Sequence, residues 1–177
     1  MSRLAGGGAP DSEQQYRSRD AIHATALIVG EAGVLIRGPS SSGKSGLALA
    51  LLALAGDRQL FARLIGDDWV LIHLKNQRIL AIGAPNMRGL IERRGYGIVR
   101  ASAEPCAIIR LVVDLLPDGV RAARLPDEGA LKASLDEVEL PRLTFDGETG
   151  PVERAFAVLE YLDKIGDKIM TGFAHFA

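Results

Sequence analysis

Cysteine is nearly absent from this chain. One residue among 177, Cys106, excludes an intrachain disulfide. A reducing, cytoplasmic setting is therefore the expectation. Beside the apolar run Ala107-Ile108-Ile109, the thiol reads as a core side chain. Charge of one sign is absent too. Lys and Arg number 21 against 22 Asp and Glu, for a net charge of −1. Neither nucleic acid nor a membrane surface is expected as a partner. No apolar run approaches the length of a membrane span. The N-terminus is polar and carries Gly6-Gly7-Gly8, without the apolar centre of a signal peptide. There is no internal repeat. What remains is an apolar chain, 47% hydrophobic, with ample material for a core and the length of one domain.

Gly38-Pro39-Ser40-Ser41-Ser42-Gly43-Lys44-Ser45 matches G-x-x-x-x-G-K-[ST], the phosphate-binding loop. Its glycines let backbone N–H groups turn inward as an anion-binding nest. Lys44 can reach the outer phosphates, and Ser45 offers a hydroxyl to Mg²⁺. The flanks fit. Gly33 to Arg37 reads as a buried strand running into the loop. Ser45 to Ala55 reads as an apolar helix stopped by Gly56, its positive N-terminus aimed at the same anion.

Along the chain, residues 1–20 have the composition of a disordered tail, and residues 21–177 form the one P-loop domain. Ile22 to Val29 reads as a strand. Leu60 to Gly66 reads as another, ending in Asp67-Asp68. Val70 to Leu74 and Arg78 to Ile82 suggest a hairpin around Lys75-Asn76-Gln77. Pro85 to Ile91 suggests a short helix, and Glu92 to Gly97 a charged, glycine-rich loop. Ala107 to Leu116 is a second strong strand. Residues 118–150 look irregular, with one short strand at Arg142 to Phe145. Pro151 to Ile165 suggests a terminal helix. Strands outnumber helices and several are joined by hairpins. The expected class is α/β with a mixed central sheet.

A phosphate loop needs a carboxylate near the metal. Asp67-Asp68 and Asp114 both stand at strand ends. Adjacent carboxylates on a strand point apart, so one of Asp67 and Asp68 can face a metal and the other a substrate. That division suits a kinase, which must also take a proton from the accepting hydroxyl. Trp69 beside them reads as packing. Glycines at 89, 95 and 97 surround Glu92, Arg93, Arg94 and Arg100, where backbone can approach a ligand. A guanine-specifying motif is absent, which argues against a GTPase switch. A small-molecule or nucleotide kinase, and a nucleotide-binding regulatory module with little catalysis, remain alternatives.

Together these pieces resemble the C-terminal catalytic domain of bacterial HPr kinase/phosphorylase, in its short form. The matching residues are His23, Gly33-Val34-Leu35-Ile36, the phosphate loop, Leu64-Ile65-Gly66-Asp67-Asp68 and Gly89 to Val99. The resemblance covers residues 21–116. It implies a P-loop kinase fold akin to phosphoenolpyruvate carboxykinase. It implies transfer of phosphoryl from ATP or pyrophosphate to a serine of the carrier protein HPr, and the reverse attack of phosphate on phosphoserine. Carried over by position, Asp67 would exchange the serine proton with help from His23. Lys44 would hold the phosphates, and Ser45 and Glu92 would bind Mg²⁺. A homohexamer is implied as well. Ser41 replaces the family's usual glycine and would hold a backbone angle it disfavours, at about 1 kcal/mol. The family's Gly-Arg-Asn motif has no visible counterpart, and Arg154 is the candidate for its arginine.

Overall fold

A computed structural model of the chain describes residues 20–173. The expected tail over residues 1–20 lies, except for Asp20, outside the described residues. The chain enters as β1 (Asp20–Ile22), breaks at His23 and resumes as β2 (Ala24–Val29). The break divides what the pattern suggests is one strand, and it turns His23 out of the sheet. A turn at Gly30 and Glu31 leads to β3 (Ala32–Arg37), which feeds the phosphate loop and helix α1 (Lys44–Asp57). Next comes β4 (Ala62–Gly66), ending at the two aspartates. β5 (Val70–Lys75) and β6 (Arg78–Gly83) form the expected hairpin. Two expectations fail after it. Only a 3-10 turn at Pro85–Met87 stands where a short helix was expected. The charged stretch is no loop but a separate hairpin of β7 (Leu90–Arg93) and β8 (Gly97–Arg100). β9 (Cys106–Leu115) follows. The region expected to be irregular holds a hairpin of β10 (Lys132–Leu135) and β11 (Val138–Phe145). The terminal helix α2 (Pro151–Phe173) outruns its expected end at Ile165.

The main sheet is mixed. Its order is β1-β5-β6-β9-β3-β2-β4, with β10 and β11 joined through β9. Only β3 and β11 run parallel to β9; the other pairs are antiparallel. The length of β9 makes this possible. Its first residues pair with β6, with Ala81 opposite Ala107. Its last pair with β11, with Thr144 opposite Asp114. Two strands thus share the same long partner in succession.

The sheet separates two cores. On one face, Leu27, Val34, Ile36, Leu64, Leu111 and Val113 pack against Leu47 and Leu51 of α1 and Val158 and Leu159 of α2. On the other, Leu35, Ile65, Ile109 and Val112 meet Val70, Ile72, Ile79 and Ala81, because the sheet curls and brings β5 and β6 over itself. A helix apolar on all sides should be surrounded, and α1 is covered on two of its three sides. It contacts β2 and β4 on one side and α2 on another, and its third side lines the cavity described below. Cys106 corrects another expectation: the thiol is exposed. Residues alternate faces along a strand, so Cys106 lies opposite to the buried Ala107 and Ile109, and on the same side as the exposed Arg110. Among the described residues no helix is long and apolar enough to cross a membrane.

Candidate functional site

The loop between β3 and α1 is built for an anion. Gly38 has φ 152, and a Cβ there would stand 2.7 Å from the Leu115 carbonyl oxygen. Only glycine lets the chain leave β3 this close to the end of β9. Ser41 has φ 68, the disfavoured angle expected of it, and its hydroxyl accepts a hydrogen bond from Arg94 Nη2 at 2.7 Å. Gly43, at φ 96, begins α1 without a side-chain cap. The first N–H groups of the helix are therefore left for a ligand. Lys44 is buried, and its Nζ donates to the carbonyl oxygens of Gly38 at 3.1 Å and Pro39 at 2.9 Å. Burial pushes the Lys44 ammonium below the usual lysine range, while the charges of Asp68 and Asp67 work against that shift. A bound anion would restore the solvation this cation has lost.

The two aspartates do divide, although both lie in a bend just past the end of β4 and not on the strand itself. Asp67 is buried, 7% exposed, and holds three elements together. It accepts from Thr25 Oγ1 of β2 at 2.6 Å, from Ser45 Oγ of α1 at 3.0 Å to each oxygen, and from the Glu92 N–H of β7 at 3.2 Å. Asp68, at φ 65, swings the other way. Its side chain is 55% exposed, with Oδ1 3.5 Å from His23 Nε2. His23 reaches it because it lies in the break between β1 and β2. The expected proton acceptor, Asp67, is thus placed below the cavity. Its oxygens are already occupied by three donors, and it does not line the cavity, whereas Asp68 and His23 do. Trp69 is not packing: it is 59% exposed, its ring centroid 6.1 Å from that of His23. Asp114, the alternative carboxylate, is removed from the site. It accepts from Nε and Nη2 of Arg37 at 2.7 Å each, with Arg142 Nη1 at 3.8 Å, and joins β9 to its two parallel neighbours.

A cavity of about 800 Å³ opens between the loop, α1 and the β7–β8 hairpin. Its polar side carries His23, Lys44, Ser45, Asp68, Glu92 and Arg94; its apolar side carries Leu49, Ala50, Ala53 and Val99. Glu92 is positioned by the hairpin. At the hairpin's base Gly89 has φ 72, and a Cβ would meet the Ala101 carbonyl oxygen at 2.7 Å. The Ala101 N–H donates back to Gly89 at 2.8 Å and closes the base. Ser45 and Glu92, which line the cavity, supply hard oxygen donors of the kind Mg²⁺ takes from protein, completed by phosphate and water. Among the described residues no three His, Cys, Asp or Glu side chains form a ligand cluster. A metal here would therefore lean on such outside oxygens.

Arg154, the candidate for the arginine of the Gly-Arg-Asn motif, is buried behind the loop and does not line the cavity. Sequence reasoning missed Thr25, a strand threonine with no distinguishing signal. It also missed the bond between Arg94 and Ser41, which depends on the hairpin being one.

The family model described as HPr Serine kinase C-terminal domain matches residues 14–104, a little over half of the chain. That span includes every cavity residue named above. HPr kinase/phosphorylase of Limosilactobacillus reuteri is 32% identical over 148 residues, covering 77% of this chain and 44% of the relative. The enzyme of the same name from Pediococcus pentosaceus is 38% identical over 99 residues, 55% of this chain and 30% of the relative. The chain thus spans less than half the length of these curated relatives. The solved structure of the Hpr(Ser) kinase/phosphatase from Coxiella burnetii matches with a TM-score of 0.68 at 22% identity, covering 89% of this chain and 99% of that one. The fold is that of a P-loop kinase with a curled mixed sheet.

Proposed function

The chain belongs to the HPr serine kinase C-terminal domain family, and from that premise we propose that it transfers phosphoryl from ATP or pyrophosphate to a seryl residue of HPr. The observation that carries this reading is the meeting, in one cavity, of a phosphate loop, Glu92 and the Asp68–His23 pair, with Asp67 bonded to Ser45 beneath them. The loop N–H groups and Lys44 bind and orient the donor phosphates. Asp68 takes the proton of the serine hydroxyl as that oxygen bonds to the transferred phosphorus and the bond to ADP, or to phosphate, breaks. His23 stands beside Asp68 to share that proton. Asp67 keeps Ser45 and Glu92 in place from below. Mg²⁺ held by Ser45 and Glu92 would neutralise charge on the phosphates. By reversibility the same groups serve the attack of phosphate on phosphoserine, with Asp68 returning the proton. The apolar side of the cavity offers a place for a nucleoside. The setting proposed is cytoplasmic and homo-oligomeric, a hexamer by resemblance.

Incubation with HPr, Mg²⁺ and either donor, followed by intact-mass measurement of HPr, tests the proposal. The expected result is a gain of one phosphoryl group, lost when phosphate is added in excess. A gain confined to small-molecule acceptors would favour a metabolite kinase. Nucleotide binding without transfer to any acceptor would favour a regulatory module.

A further inference from the structure

Four polar or charged residues are buried among those described: Thr25, Lys44, Asp67 and Arg154. Lys44 lines the cavity, and Thr25 and Asp67 are bonded to each other beneath it. Arg154 has no part in the scheme above, yet its placement is costly in three ways. It lies in the first turn of α2, where the helix dipole opposes a cation. It is 5% exposed. And no carboxylate bonds it. Its Nη2 donates to the Asp146 carbonyl at 2.6 Å, its Nη1 to the Ser42 carbonyl at a long 3.4 Å, and its Nε has no partner. Burial pushes its pKa below the ordinary arginine range, with the charge of Asp146 opposing. A buried cation so poorly matched adds little to stability through its charge, which points to another reason for its place.

The geometry at Ser42 indicates what that is. The Ser42 carbonyl points at the guanidinium. In a trans peptide the N–H opposes the carbonyl, so the Gly43 N–H is turned to the side where the nest opens. Arg154 Nη1 also lies 3.4 Å from where a Gly43 Cβ would stand, directly behind the loop. We propose that Arg154 is a positioning residue for phosphate binding: from behind the loop it fixes the Ser42–Gly43 peptide, and its charge finds its counter-charge only when phosphate oxygens fill the nest. The terminal helix is thereby coupled to occupancy of the site. This rests on the phosphate-loop reading under Proposed function.

The test uses the full chain, with Mg²⁺ and pyrophosphate as the probe. Binding is measured by calorimetry and unliganded stability by thermal melting. Arg154→Met gives up its bonds to two carbonyls and should fold with a modestly lowered melting temperature, yet bind pyrophosphate about 10–100-fold more weakly, the range seen when a supporting residue behind a ligand is removed. Arg154→Lys keeps the charge and loses the fork. It should fold and fall between the two. In the kinase assay KM for the donor should rise in both variants by more than kcat falls. Binding by Arg154→Met within twofold of the parent overturns the proposal. So does an unfolded Arg154→Met paired with an Arg154→Lys that binds normally, since the role is then only structural. Lys44→Ala is the control. If it too binds pyrophosphate normally, the phosphate-loop reading has failed; if it alone loses binding, only the role of Arg154 has.

Discussion

The neighbouring carboxylates Asp67 and Asp68 have opposite environments, and substitution should tell them apart. Asp67 receives hydrogen bonds from Thr25, Ser45 and the Glu92 backbone in a buried setting. Asp67→Asn would turn an N–H toward donors, and should lower unfolding stability by about 1–3 kcal/mol in urea titration. Asp68 is exposed and left-handed at φ 65, an angle asparagine tolerates well. Asp68→Asn should leave the urea midpoint unchanged and abolish most transfer. Lys44→Ala removes a preorganised charge and should cut turnover in both directions ~10²–10³-fold, with an unchanged circular dichroism spectrum. Near-normal turnover would take the loop out of the mechanism. The sequence suggested that the aspartates diverge, but not which goes where. That depends on one backbone angle at Asp68 and on Thr25, forty-two positions away, and neither leaves a local pattern.

Elements with strong local signals were legible: β3, the loop and α1 follow from apolar runs and fixed glycines, although α1 runs through its expected stop at Gly56 and the left-handed residue beyond it is Gln59. The β5–β6 hairpin was legible from its two apolar runs. The β7–β8 hairpin was not, because its glycines and charges have the composition of a loop and few of its residues are buried. It pairs mainly with itself. Cys106 was misread from its neighbours, though Arg110, on the same side of β9, already pointed to an open face. The β7–β8 hairpin yields a prediction of its own. Gly89→Ala puts a methyl group into the Ala101 carbonyl and displaces the hairpin that carries Glu92. Activity should fall and demand more Mg²⁺, while the melting transition of the core stays in place. A variant as active as the parent at low Mg²⁺ would detach Glu92 from the metal. Asp114→Asn is the converse. It breaks the bond pair to Arg37 between β9 and β3, and should cost about 1.5–3 kcal/mol while leaving the rate per folded molecule intact.

At the scale of the molecule, the site exists because a curled sheet brings distant segments to one end. Thr25 comes from β2, Ser45 from α1, the two aspartates from the end of β4, and Glu92 from an outlying hairpin. The proposed chemistry rests on how that assembly divides the two carboxylates, one below the phosphates and one facing the acceptor. The most direct measurement is the initial rate of HPr phosphorylation as a function of Mg²⁺ for the parent chain, Asp67→Asn and Asp68→Asn. Asp67→Asn should need more Mg²⁺ and recover part of its rate when Mg²⁺ is raised. Asp68→Asn should stay inactive at every Mg²⁺ concentration while still binding nucleotide. Rescue of Asp68→Asn by Mg²⁺, with Asp67→Asn inactive throughout, would contradict the account.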